Sequence, residues 1–330
     1  MAGGGHGTRA VVAALLANLG IALAKFVGYL LTQSASMLAE SVHSVADSGN
    51  QALLLLGGHK AKRAPTEDHP FGYGRERYFW SFVVALILFS VGGMFALYEG
   101  VAKVRHPHEL ESVPIAIGIL VFAILLESLS FRTAVVEANR TKDPRLGWWS
   151  FIRRSKSPEL PVVLLEDLGA LIGLVLALIA VSIAHVTDEP VWDGIGTMCI
   201  GALLIVIAAV LAAEMKGLLI GESASEADRA KIAATIAAEP GVVRLIHVRT
   251  QHIGPEELLV GAKIELTSGL SVAEAAAVVD RVETSVRRAV PAARIMYLEP
   301  DVFRTAVPDD VGAVTAPDEP ASVSGQAEPS

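Results

Sequence analysis

Cysteine is almost missing from this chain: Cys199 is the only one among 330 residues. That excludes a disulfide framework and a thiolate metal site, and it leaves Cys199 to be read as a small residue at a helix contact. Charge is also scarce. Asp, Glu, Lys and Arg make up 19% of the residues, whereas soluble domains carry roughly a quarter. Aromatic residues reach only 6%. No HExxH run, no Ser/His/Asp arrangement and no nucleotide-binding motif occurs, so a hydrolase or an ATP-driven machine is not indicated.

What fills the space is apolar. Hydrophobic residues account for 52% of the chain, and the mean hydropathy is +0.49. A helical membrane span needs ~20 mostly apolar residues. Six segments reach that length: Ala10–Leu31, Met37–Gly58, Phe79–Val101, Val113–Val136, Leu160–Val186 and Gly194–Ala213. Ala10–Leu31 is longer than the ~7–15 apolar residues of a signal peptide and holds Asn18 and Lys25, so it reads as a retained helix.

Basic residues orient these spans. Lys60, Lys62, Arg63, Arg75 and Arg77 follow the second span; Arg140, Lys142, Arg145, Arg153, Arg154 and Lys156 follow the fourth. The loops on the other side hold few or none, which places both termini in the cytoplasm. The net charge of −8 does not oppose this, because the rule counts only Lys and Arg. Trp148, Trp149 and Phe151 lie in the second basic loop and suit a short interfacial helix over Gly147–Arg154 at headgroup level. With membrane on both sides, this patch indicates a lipid bilayer as partner and no nucleic acid.

Beyond Gly221 the pattern shortens and mixes. Ser223–Ala238 predicts a helix, Gly241–Gln251 and Leu258–Thr267 predict strands, Ser271–Ala289 a helix with Ser271 and Glu274 at capping-box spacing, and Arg294–Glu299 a strand. The expected organisation is a cytoplasmic N-terminus over 1–9, a six-helix membrane domain over 10–216, a cytoplasmic α-β-β-α-β domain over 217–303, and a disordered tail over 304–330. The tail is rich in Pro, Ala, Asp, Glu and Ser.

The second span carries the chemistry. At about 100° per residue, Ser36, Glu40, Asp47 and Asn50 all lie within about 60° of His43, on one stripe of a helix otherwise built from Ala, Val and Leu. Ionisable groups in a span are costly and mark pathways. His43 and Asp47, four apart, offer an imidazole nitrogen and a carboxylate to one point, a donor set suited to Zn²⁺ and its first-row neighbours. The fifth span adds Glu166 and Asp167 beside a Gly169–Gly173 pair, where small residues let another helix approach. Glu40 and Asn50 are further candidate ligands. Glu127, in the fourth span, is a candidate partner for Lys25 or Arg132.

SMLAESVHSVADSGNQ, the loop HPFGYGR at His69–Arg75, six spans and the α-β-β-α-β order together resemble the cation diffusion facilitators. RSKSPELPVVLLED and PVWDGIGTMCIGALL are similar to the zinc transporter 9 branch of that family. The resemblance covers about Ala10 to Pro300. It implies a homodimer with a ferredoxin-like cytoplasmic domain that exports zinc against protons as a secondary transporter, with Zn²⁺ as substrate, no organic cofactor and no enzymatic activity. It implies a metal site shared by the second and fifth spans, to which His43, Asp47 and Glu166 correspond; Ala170 stands where the family has a further Asp. His69 remains in the loop, but Tyr73 occupies the position of a second His. His247 and His252 remain in the soluble domain, while Lys263, Glu274 and Tyr297 replace other His positions, so the domain is expected mainly to dimerise. Two other readings stay open: an exporter of Mn²⁺, Fe²⁺ or Co²⁺, and a non-transporting membrane scaffold or metal-responsive partner protein. The expected membrane is the plasma membrane of a prokaryote, from the Ala-rich composition and the lack of a targeting segment. His43, Asp47 and Glu166 are expected to converge on one point at ~2 Å.

Overall fold

The computed structural model describes residues 19–304 except 109, 111, 143 and 146. The expected segment 1–9, the start of the first span and the tail from 305 onward lie outside the described residues. Two compact units emerge: 19–222 with His252–Glu256, and Ser223–Gln251 with 257–304.

The first unit is helical. It comprises α1 (Leu19–Thr32), α2 (Ala35–Lys60), α3 (Glu76–Ile87) running through a π turn (Leu88–Met94) into α4 (Phe95–Arg105), α5 (Val113–Thr141), the short α6 (Trp148–Arg154), α7 (Glu159–Thr187) and α8 (Val191–Ile220). Among the described residues four helical stretches are long and apolar enough to cross a membrane: Glu76–Arg105, Val113–Arg140, Glu159–Thr187 and Val191–Ile220. α2 is not among them, although it is 26 residues long. The polar stripe read from the sequence lowers its hydropathy, and Ser36, Glu40, His43 and Asn50 are all buried in the protein. A helix so built survives at membrane depth only when its polar side faces neighbouring helices.

Those neighbours approach closely. A Cβ on Gly93 would lie 2.6 Å from Ile205, one on Gly100 2.8 Å from the Gly194 carbonyl, and one on Gly201 2.7 Å from the Leu97 amide. The third span and α8 thus meet backbone to backbone, as small-residue seams allow. Cys199 is not at such a contact: it is exposed on α8. The seam is formed by Gly194 and Gly201, on another side of the helix, and the thiol faces outward instead. At the basic end, Arg77 pairs with Glu159 and Lys156 with Glu222, while the Tyr78 hydroxyl donates to the Lys156 carbonyl at 3.2 Å. The short helix expected in the second basic loop forms over Trp148–Arg154, with Phe151 buried and Trp149 exposed.

The opposite end is organised around one carboxylate. Asp193, in the first turn of α8, is fully buried. It accepts from the Ser34 hydroxyl at 2.8 Å, the Ala35 amide at 2.7 Å and the Ser36 amide at 3.3 Å. The two amides are ones that the start of α2 leaves without helical partners, and an anion at a helix N-terminus is stabilised by the dipole. The preceding turn needs Gln33 at φ 53°, a left-handed conformation that costs a non-glycine residue ~1 kcal/mol. Lys103 holds that turn by donating to the Gln33 carbonyl at 3.0 Å.

The second unit follows the order read from the sequence: α9 (Glu226–Ala238), β1 (Val242–Gly254), β2 (Glu257–Leu266), α10 (Val272–Ala289) and β3 (Ala293–Pro300). The sheet order is β1-β2-β3, with β2 and β3 parallel across the α10 crossover. Leu258, Val260, Ala262 and Ile264 alternate inward and pack on Ile232 and Ile236 of α9 and Val278, Val282 and Val286 of α10. The capping box is present, with both the Ser271 and the Glu274 side chains bonded to the other's backbone.

Asp193→Ala is expected to destabilise the helical unit by about 2–4 kcal/mol, since it strands several buried donors, while Asp193→Asn loses less. Thermal unfolding of the purified chain in detergent measures both.

Candidate functional site

The polar stripe of α2 forms, and it divides into groups that are partnered and groups that are not. Toward the Asp193 end, Ser36 donates to the Asp193 carbonyl at 3.1 Å and lies 3.0 Å from the Thr197 hydroxyl. In the middle, His43 is 1% exposed and its Nε2 lies 3.5 Å from Asp47 Oδ2. Neither ring nitrogen of His43 has a hydrogen-bond partner, and Asp47 Oδ1, Asn50 Oδ1 and Glu40 Oε1 lack one too. A buried polar atom without a partner costs about 1–3 kcal/mol, so five on one helix face is a concentration that stability alone would not maintain.

The fifth-span residues arrive beside this stripe. Asn50 donates to Glu166 Oε1 at 2.7 Å, joining α2 to α7 inside the bundle. Asp167 accepts from the Ser130 hydroxyl of α5 at 3.0 Å. The Gly169–Gly173 pair works as a close seam on two sides: a Cβ on Gly169 would meet Ile207 of α8 at 2.6 Å, and one on Gly173 would meet Glu40 Oε1 at 2.6 Å. A narrow polar cleft of about 20 Å³ is lined by Ser44, Asp47, Glu127, Ser130, Glu166 and Asp167, room on the order of one water or a dehydrated cation. The π turn of the third span borders the site as well, because a Cβ on Gly92 would lie 3.8 Å from His43 Nδ1. π turns loosen helical hydrogen bonding and are frequent at functional sites.

His43 and Asp47 are therefore adjacent, and Asp47, Glu166 and Asp167 share one cleft. They do not close into one coordination point: among the described residues no three His, Cys, Asp or Glu side chains are grouped to hold a metal ion. Asn50 holds Glu166, and Ser130 holds Asp167. Glu40 is occupied by a group that sequence reasoning linked to another acid. Lys25 pairs not with Glu127 but with Glu40 Oε2, at 3.2 Å, and also donates to Ser44 at 2.7 Å. Helical spacing could not reveal this, because it depends on how α1 leans on α2.

Outside the bundle the other expected positions are quiet. The Tyr73 ring stacks on His69 at 4.5 Å between centroids, and its hydroxyl lies 3.1 Å from the Thr66 hydroxyl. On the sheet of the second unit, Lys263 lies 3.1 Å from Glu299 and 3.2 Å from Asp301. These hydrogen bonds raise the Lys263 pKa, and the Val302 amide followed by Lys263 lowers that of Asp301. An ammonium stands where a metal would need a lone pair. His247 is shifted down by burial, then by Arg249 and Lys263.

The profile of the cation efflux transmembrane domain matches residues 11–220, and that of the cation efflux protein cytoplasmic domain matches 224–297. The proton-coupled zinc antiporter SLC30A9, mitochondrial, of Mus musculus is 28% identical over 73% of this chain and 43% of its own length. Metal tolerance protein C4 of Arabidopsis thaliana is 30% identical over 81% of this chain and 59% of its own. Magnetosome protein MamB of Paramagnetospirillum magneticum is 23% identical over 86% and 90%. The chain thus spans less than two thirds of the length of the first two of these relatives.

Asn50→Ala is expected to cost about 1–3 kcal/mol, because Glu166 loses its buried donor. Asn50→Asp should cost more, since it sets a second carboxylate against Glu166. Thermal unfolding of both variants in detergent checks the order.

Proposed function

The chain belongs to the cation diffusion facilitator family, and on that premise we propose that it exports a divalent metal cation, zinc foremost, in exchange for protons. The observation that carries the proposal is the pair of unpartnered, buried His43 ring nitrogens beside Asp47. An imidazole with free nitrogens next to a carboxylate is a donor set for zinc. Zinc antiport is also what the mitochondrial relative's name states.

The proposed ligands are His43, Asp47 and Glu166, with Asp167 lining the same cleft. Loading requires Glu166 to exchange the Asn50 amide for the cation, so the ligand set closes as metal enters. A neutral imidazole and ionised carboxylates bind the metal, and protons compete for the same lone pairs. Metal affinity therefore rises with pH and falls as protons arrive. Protons reaching the site from the far side discharge the ion, which makes their gradient the driving force. The π turn against His43 and the glycine seam along α8 give the third span freedom to shift during that exchange.

The same reading takes the helical unit as six spans over 10–216 with both termini cytoplasmic, in the plasma membrane. It takes 217–303 as a ferredoxin-like dimerising domain that makes the protein a homodimer. The relatives are named for mitochondria and magnetosomes, so the membrane is a point to be measured by localisation. The carboxylates around His43 favour a second reading, export of Mn²⁺, Fe²⁺ or Co²⁺, because oxygen donors suit harder ions. Ala170 on α7, together with the lack of a closed three-ligand group among the described residues, favours a third, a scaffold that keeps the fold without transport.

Zinc flux into proteoliposomes with a lumenal pH dye tests the proposal. Wild-type protein should move zinc with counter-flow of protons, and Asp47→Ala should slow it by about 100-fold. Lowering the loading-side pH from about 7.5 to about 6 should weaken zinc loading. Wild-type zinc flux in the Asp47→Ala variant removes the site assignment; a silent wild type that binds no metal supports the scaffold.

A further inference from the structure

Lys25 is a buried charged group beside the site that the transport reading does not use. It is 1% exposed, on α1, and its ammonium reaches across to α2. There it meets Glu40 Oε2 at 3.2 Å and donates to Ser44 Oγ at 2.7 Å. Glu40 and Ser44 flank His43, three residues before it and one after. The rest of the Lys25 side chain borders an apolar cavity of about 230 Å³ with Ile21, Ala24, Ala123 and Leu126. Among the described residues no lining side chain on that side is polar apart from Lys25 itself, and the ammonium turns to Glu40 and Ser44 instead. Ser41 reinforces the position by donating to the Ala22 carbonyl at 3.1 Å, which holds α1 on α2.

Glu40 is fully buried, and its other oxygen has no partner. It lies on the His43 stripe one helical turn away, where i and i+3 side chains are neighbours. It fits against α7 only because Gly173 has no Cβ. Left to itself, it would add a further carboxylate to those of Asp47 and Glu166 beside His43. Such a site is harder and more anionic, and oxygen-rich sites favour Mn²⁺ where imidazole favours zinc.

We infer that Lys25 is a specificity-determining residue: its tethered ammonium holds Glu40 out of the ligand set, so that the cation meets His43 with the carboxylates of Asp47 and Glu166 and without a further one from Glu40. This rests on the metal-transport reading of the same site. Lys25 touches no substrate; it is a positioning residue that acts through Glu40.

The experiment measures zinc and manganese binding by calorimetry on the full chain in detergent, and flux of both ions in proteoliposomes. The variants are Lys25→Met, Lys25→Arg and the double Lys25→Met/Glu40→Gln. Lys25→Met should shift the manganese-to-zinc affinity ratio toward manganese by about tenfold or more. Lys25→Arg should keep the wild-type ratio, and the double variant should restore it, because the released carboxylate is gone. An unchanged ratio in Lys25→Met overturns the inference, as does a double variant that stays shifted. Should Lys25→Met not fold, the double variant decides alone, since replacing both partners of a buried pair is far better tolerated than removing one. A loss of zinc affinity beyond about tenfold there would make Glu40 a ligand and overturn the inference. A wild type that binds neither metal overturns the transport reading itself, which no variant result can mimic.

Discussion

The structure depends on the burial of one polar helix face in an apolar bundle. α2 brings Ser36, Glu40, His43, Asp47 and Asn50 to membrane depth on a single stripe, and lipid offers none of them a partner. Every neighbour is arranged around that need. α8 supplies Asp193 and Thr197, α7 supplies Glu166 and the gap at Gly173, and α1 supplies Lys25. The close glycine contacts between the third span and α8 follow from the same demand, because neighbouring helices must come near for α2 to be enclosed.

Along α2 the degree of satisfaction changes with depth. At the Asp193 end three donors converge on one carboxylate and nothing is left over. That end is a fixed point. Half a helix further on, both nitrogens of His43 and single oxygens of Glu40, Asp47 and Asn50 are unmatched. A helix anchored at one end and under-satisfied in its middle has its stability supplied where it is held and leaves its unpartnered polar atoms in between. Groups already hydrogen-bonded to one another would first have to be separated before they could bind a metal.

Much of this was legible from residue order. The α-β-β-α-β unit could be read because period-2 and period-3.6 patterns alternate cleanly in it and Ser271–Glu274 announces its cap. The stripe on α2 was legible for the same reason, since spacing within one helix fixes which side chains share a face. Relations between helices were not. The Lys25–Glu40 pair, the hold of Asn50 on Glu166 and the outward turn of Cys199 all depend on the rotation and lean of one helix against another. Hydropathy along the chain is blind to that. Asp193 was also passed over, because an acid at the start of a helix is ordinary until another helix N-terminus is found lying on it.

The two lysines buried in or near the bundle sharpen what an ammonium can do there. Lys103 holds a backbone carbonyl in a strained turn and so serves geometry alone. Lys25 instead holds a carboxylate, and a carboxylate beside an imidazole is a ligand in waiting. On the sheet of the second unit Lys263 does the same to Glu299 and Asp301. In both units, then, a side-chain ammonium sits on acids. A tethered cation cannot diffuse away, so each ammonium stays beside the acids that it pairs with.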